Sequence, residues 1–443
     1  MTTTKRILAV ASSVFATQFA GAVPVVSSVD MNQSSKTVVI TYTLSGEDAV
    51  VTLDVQTNAN TSAAADDPGW TSIGGAAVSN AKGDVWKKVE TGSRRITWRP
   101  DQSWPDHVIA DGGARAVVTA WSLDNTPDYM AVDITSTGGA GKQTYYPAAD
   151  FVPGGVSNSL YKTTTLLMRK IMAKDVTWTM GSVAETGRES WREMTHQVTL
   201  ANNYYIGVYP VTQTQWQQVT GYNPSNFTTE RTMRPVENVS YTDIRQGQGS
   251  ASAAAPATGG VYPADPEGGS FLGLLRTKTG LDFDLPSEAQ WEFAARAGYG
   301  EGYWGDGSAM RIGSDNKDAG CDLLGRNQYN GGKIGTDCSE DPPANCEVAN
   351  GTAIVGSYLP NAWGLYDVYG NVWEWCLDYY AYDITALNGA VNTASVNGNR
   401  VAKGGSWGSS APYCRPAYCN AYCAPGGRVL NIGFRIACTA GLQ

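Results

Sequence analysis

Glycine sets the terms on which this chain folds: 50 of its residues are Gly and 14 are Trp, whereas charged residues make up only 16%. Glycine loses more backbone freedom on folding than any other residue and is kept where the chain turns or another group must come close. A chain so built is expected to be rich in irregular loops packed around aromatic side chains, not a helical bundle. Its 443 residues allow two or three domains, each with its own core. The net charge of −9 comes without a long basic run, so nucleic acid is not an expected partner.

Residues 1–22 read as an export signal peptide. Lys5-Arg6 opens a short basic region, Ile7 to Phe19 is mildly apolar, and Ala20-Gly21-Ala22 is a small-x-small cleavage site. The apolar stretch is too short to span a bilayer, and no later segment qualifies as transmembrane. The expected location is therefore periplasm, cell surface or medium. Residues 23–137 have the texture of strands and turns. "KTVVITYTL" and "AVVTLDVQT" alternate apolar and polar residues around an "SGED" turn, and "SRRITWRP" and "ARAVVTAWSL" continue the pattern. A small all-β sandwich is expected there, as an accessory domain or a carbohydrate- or surface-binding one. Residues 138–159, Gly- and Pro-rich, read as a linker to a second domain over 160–443.

All 8 cysteines fall in that second domain: Cys321, Cys338, Cys346, Cys376, Cys414, Cys419, Cys423 and Cys438. An even number in an exported chain favours disulfides, while their clustering leaves a thiolate metal site open. Residues 245–269 are low-complexity and read as a surface insertion. Two helices are expected. In "LPSEAQWEFAARAG" Ser287 and Gln290 form a capping box, Trp291 and Phe293 face the core and Gly298 terminates; in "VSYTDIR" Ser240 is the N-cap. His107 and His196 are the only histidines, too few and scattered for a Ser-His-Asp triad, a zinc hydrolase or a histidine-held iron.

Seven stretches of the second domain form an ordered pattern: "MGS" at 180–182, "YYIGVYPVTQTQW", "RPVENVSY", "LPSEAQWEFAARAG", "NAWGLYDVYGNVWEWCLD", "RVAKGGSW" and "NIGFRIA". Over about residues 160–440 the chain resembles the sulfatase-modifying-factor family, whose founding member is the formylglycine-generating enzyme. The resemblance implies a C-type-lectin-like fold, a small twisted sheet with two helices and much irregular loop, and hence an α+β class for the whole chain. It also implies one of several functions. Some members are copper-dependent oxidases that convert a sulfatase cysteine to formylglycine. Others are iron-dependent sulfoxide synthases, and others are binding modules, including display proteins diversified by retroelements.

In the oxidases two thiolates spaced Cys-x4-Cys hold copper(I), a soft ion suited by soft ligands. Cys414 and Cys419 have that spacing, and Ser406 matches a position near the oxygen pocket. Counted from Trp407, however, the first thiol position is Ser409, and Cys414 falls at the second. Shifting the match from Ser409 to Cys414 restores the pair but shortens the distance to "NIGFR". As an oxidase the chain would act on a sulfatase peptide with Cys414, Cys419 and Ser406. The alternative reads Cys414 and Cys419 as disulfide partners or buried thiols and the protein as a non-catalytic binder. Residues 408–431 lack Lys, Glu, Gln, Met and Trp, the pattern left by mutagenesis of AAY codons. Tyr413, Arg415, Tyr418, Asn420 and Tyr422 would then contact a protein or glycan ligand, in the chemistry of adaptable paratopes. Finally, "GLYDVYGNVWEW" matches a family calcium site: Asp367, the carbonyls of Gly370 and Val372, and Glu374 would hold a structural calcium ion.

Overall fold

The computed structural model describes residues 5–13 (backbone only), 23–135, 142–227, 231–246, 265–330, 351–394 and 397–439. The cleavage site at Ala20-Gly21-Ala22, most of the low-complexity insertion, Cys338, Cys346 and the side chain of Tyr422 lie outside the described residues. The chain divides into two compact units, residues 1–131 with 143–158 and 440–443, and residues 132–142 with 159–439. It is a mixed α+β protein.

In the first unit alternation dictates strands. β1 (Lys5–Ser13), β2 (Val25–Ser34), β3 (Thr37–Ser45) and β4 (Ala49–Thr57) are followed by β5 (Thr71–Ser72), β6 (Lys82–Gly83), β7 (Lys87–Val89), β8 (Gly92–Trp98) and β9 (Ala114–Trp121). Along β3 every second side chain, Val38, Ile40, Tyr42 and Leu44, is buried, as a half-buried strand requires. Eight of the nine strands follow one hydrogen-bonded path, β5-β4-β9-β1-β2-β3-β8-β6, and β7 pairs with β4 off that path. Strand β1 runs antiparallel to β2 at Lys5–Ile7 and parallel to β9 at Leu8–Ser13. Two short helices, α1 (Gly75–Val78) and α2 (Pro100–Ser103), decorate it. Residues 143–158, within the stretch read as a linker, group with this unit. Their aromatic side chains explain why: Tyr145 N donates to Trp86 O, and the Trp86 ring meets those of Tyr146 and Phe151 at 5.7 and 6.3 Å. Strands β10 (Tyr129–Asp133) and β11 (Gln143–Tyr146) lie where the chain changes unit.

The second unit is loop-dominated. β12 (Thr165–Ile171), β15 (Tyr204–Gly207) and β20 (Ala437–Thr439) pair antiparallel, and β13 (Thr177–Met180) with β14 (His196–Thr199) makes a hairpin. A four-stranded sheet has the order β18 (Cys419–Cys423), β17 (Arg400–Lys403), β16 (Trp373–Tyr379), β19 (Ile432–Gly433). Helices α3 (Gln213–Thr220), α4 (Tyr241–Arg245), α5 (Phe271–Thr279), α6 (Glu288–Arg296) and α7 (Ala319–Leu324) complete it. Ser287 and Ser240 cap α6 and α4 as expected, each in a capping box, with Gln290 and Asp243. The left-handed C-cap of α6 is Ala297 at φ 49°, one residue before the expected Gly298. Trp291 and Phe293 enter a core shared with Trp304, Tyr369, Cys321, Cys376, Cys414 and Cys419.

Candidate functional site

The C-terminal loop leaves β17 through Gly404 and Gly405, both at positive φ. Here glycine is required by space as well as by conformation. A Cβ on Gly404 would lie 2.9 Å from Trp291 Cζ2, and one on Gly405 would lie 2.5 Å from Cys414 Sγ. Beyond them Ser406 and Ser409 close a tight turn: Ser406 N donates to Ser409 Oγ at 3.0 Å, and the two hydroxyls are 3.1 Å apart. Ser409, which falls at the first-thiol position when counted from Trp407, is buried and bonded within its own turn.

Cys414 ends a 3-10 turn over Ala411–Cys414, and Cys419 opens β18 opposite Lys403. Both are buried. The thiol of Cys414 acts on that of Cys321, whereas Cys419 lies in the field of Glu288, Lys403 and Cys423. Burial first, then Glu288, pushes the Cys419 thiol well above its ordinary range. Both sulfurs are thus shielded from solvent, and the Cys419 thiol is held in its protonated form.

The expected contact residues divide. Tyr413 is 42% exposed, and Asn420 is half-buried on β18 opposite Ala402. Arg415 is fully buried: Nη1 donates to Glu185 Oε2 at 2.8 Å and to Glu193 Oε2 at 2.7 Å, while Nη2 donates to Glu193 Oε1 at 2.8 Å and Gly187 O at 2.9 Å. Tyr418 is buried too, its hydroxyl accepting from Arg192 Nη1 at 2.5 Å. Neither is a surface contact; both fasten the loop to the segment 185–193. Trp191 of that segment, and Tyr382 beyond β16, are residues the sequence reading missed. Trp191 is 40% exposed and Tyr382 54%. Their rings lie 6.0 Å apart, Arg192 stacks on Trp191 at 4.1 Å and over Tyr418 at 5.4 Å, and Tyr418 meets Tyr413 at 5.0 Å. The chain Tyr382–Trp191–Arg192–Tyr418–Tyr413 is a continuous aromatic and guanidinium strip opening to solvent at Tyr413, Trp191 and Tyr382. The signal was a tryptophan set among charges in "ESWREM".

Under the loop lies a buried charged cluster. Lys403 Nζ is 3.1 Å from Glu292 Oε2 and 3.5 Å from Glu288 Oε1, and it donates to Ala417 O at 3.2 Å. Asp378 accepts from the backbone N–H groups of Glu288 and Asn392, both at 2.6 Å; burial, then Glu288, pushes its carboxyl up to about 7.

The proposed calcium donors do not fit that ion as they stand. Glu374 is taken by Arg435, which donates from Nε at 2.6 Å and Nη2 at 2.7 Å, and by Trp291 Nε1 at 2.5 Å. Asp367 accepts from Gly356 N at 2.7 Å and Asn371 Nδ2 at 3.3 Å; burial pushes it up to about 6, and Arg435 acts in the opposite direction. The Gly370 carbonyl accepts from Val372 N at 2.9 Å. A calcium ion needs six to eight free oxygens, and a buried guanidinium already supplies the positive charge here. Among the described residues no group of three or more His, Cys, Asp or Glu side chains converges on a possible metal position.

Comparison with known proteins places these features in a family. The model of the "sulfatase-modifying factor enzyme 1-like domain" matches residues 164–440. The chaperone protein LppX of Paenibacillus barcinonensis is 29% identical over 256 residues, 56% of this chain and 83% of that one. The formylglycine-generating enzymes of Thermomonospora curvata and Streptomyces coelicolor are each 34% identical, over 34% and 36% of this chain and 48% and 47% of their own lengths. The match thus spans about half the length of those enzymes. Among solved structures, Treponema denticola variable protein 1 aligns at TM-score 0.43 with 25% identity, covering 62% of this chain and 96% of that one. PvdO from Pseudomonas aeruginosa aligns at TM-score 0.43 with 24% identity, covering 62% and 94%. The ordered motifs and a family model matching more than half of the chain agree: the protein belongs to the sulfatase-modifying-factor family.

Proposed function

We propose that this protein is a non-catalytic, exported member of its family that binds a protein or glycan ligand on the surface formed by its C-terminal loop and the segment around Trp191. One observation carries the reading: the loop keeps Cys414 and Cys419 buried, while its Tyr413, together with Trp191 and Tyr382 from outside it, is open to solvent. Exposed aromatic rings on a well-braced loop suit recognition, because they offer large contact area at small entropic cost. Copper(I) oxidation of a substrate thiol asks for the reverse, two accessible thiolates.

The test is a copper(I) titration of the purified protein against a competing chelator, paired with an assay for oxidation of a sulfatase-type Cys-x-Pro-x-Arg peptide. No tight copper binding and no change in peptide mass are expected. One-to-one binding lost in both Cys414→Ala and Cys419→Ala, with aldehyde formed on the peptide, would replace this reading with the oxidase.

A further inference from the structure

We propose that Cys321 and Cys414 are a disulfide pair, a cross-link formed during folding between α7 and the C-terminal loop. Main-chain contacts on both sides bring the two thiols together. Ala411 N donates to Asn316 O at 3.2 Å, and Gln328 N donates to Ser409 O at 3.0 Å. The segment 409–411 is thus laced to the chain before and after α7. Cys321 lies within the span so tied, and Cys414 follows three residues after it. Both side chains are fully buried in one apolar core, where the Cys321 thiol donates to Tyr369 O at 3.8 Å and feels the Cys414 sulfur beside it. Gly405 leaves room for the Cys414 sulfur, since a Cβ there would be only 2.5 Å away.

Cys419 and Cys423 are not placed to pair with each other. Cys419 and Cys423 sit at the two ends of one strand, about 13 Å apart along an extended chain, far beyond the Cα separation that a disulfide spans. Cys419 itself is engaged with Glu288 and Lys403. In the reaction each thiol loses a proton, and two electrons pass to an exchanging disulfide. That oxidant, a glutathione-type or enzyme disulfide, leaves as two thiols. Because the finished core admits no solvent to either sulfur, the exchange precedes closure of the loop.

The full-length protein is folded in a mixture of oxidised and reduced glutathione, denatured in excess iodoacetamide without reductant, digested and mapped by mass. A cross-linked peptide pair holding Cys321 and Cys414, with Cys419 and Cys423 alkylated, is expected. Cys414 joined to Cys419, Cys321 joined to Cys338 or Cys346, or Cys321 and Cys414 both alkylated, would overturn the assignment. Reduction should lower Tm by roughly 4–8 °C in the wild type and leave Cys321→Ala unmoved. The peptide map decides the question even where that variant does not fold.

Discussion

Asp367 shows how much a single carboxylate can be made to tell. Its carboxyl is pushed up to about 6 by burial, against an ordinary value near 4. The folded protein therefore holds a proton that the unfolded chain releases, and stability falls as pH rises through the interval from about 4 to about 6, staying lower above it. Asp367→Asn suits the left-handed backbone, at φ 58°, and removes the charge. In urea unfolding the variant should lose less stability than the wild type between pH 5 and 8. At pH 8 it should be the more stable by on the order of 2 kcal/mol. Arg415 behaves in the opposite way. Arg415→Met takes the guanidinium from Glu193 and leaves Glu185 with Arg296 at 3.8 Å, and should cost about 3–5 kcal/mol at neutral pH by the same measurement. Arg415→Lys should recover only part of this, because an ammonium cannot reproduce the forked contacts.

At the scale of elements, α6 and the turn after β17 carry the clearest expectations. Ser287→Ala removes the capping hydroxyl of α6 and should lower stability by about 1 kcal/mol. Gly405→Ala pushes a methyl against the Cys414 sulfur and should lower it further. Because Glu374 is held by Arg435, stripping calcium with a chelator should leave the melting temperature unchanged; a fall on chelation, restored by calcium, would show that the carboxylates of 367 and 374 rearrange around the ion. These elements also mark how much could be read from sequence. The caps of α4 and α6 were legible because a capping box is complete within four residues. The strands of the first unit were legible because alternation is local as well. The fate of Arg415 was not: its carboxylate partners lie 222 and 230 residues earlier, and nothing near the arginine announces them. The same holds for Glu374, whose spacing matched a calcium ligand while its partner Arg435 sits 61 residues on.

Taken whole, the molecule keeps its thiol chemistry in one of its two units. Every described cysteine belongs to residues 159–439, so reductant should shift only the part of a calorimetric trace that belongs to this unit. A trace in which the signal of residues 23–131 moved equally would contradict that. The first unit owes its strands to period-two patterning, the second owes its loops to glycine turns closed around tryptophan, and only the latter presents the strip from Tyr382 to Tyr413. The buried clamp of Arg415 on Glu185 and Glu193 has a consequence for anyone wishing to evolve this surface. A library randomised uniformly over residues 408–431 would spend most of its diversity on chains that never fold, because it rewrites the anchor together with the tip. Fixing Arg415, Cys414 and Tyr418, and varying Tyr413 with the exposed positions from 425 to 430, confines the search to sequences that keep the scaffold while changing what it touches.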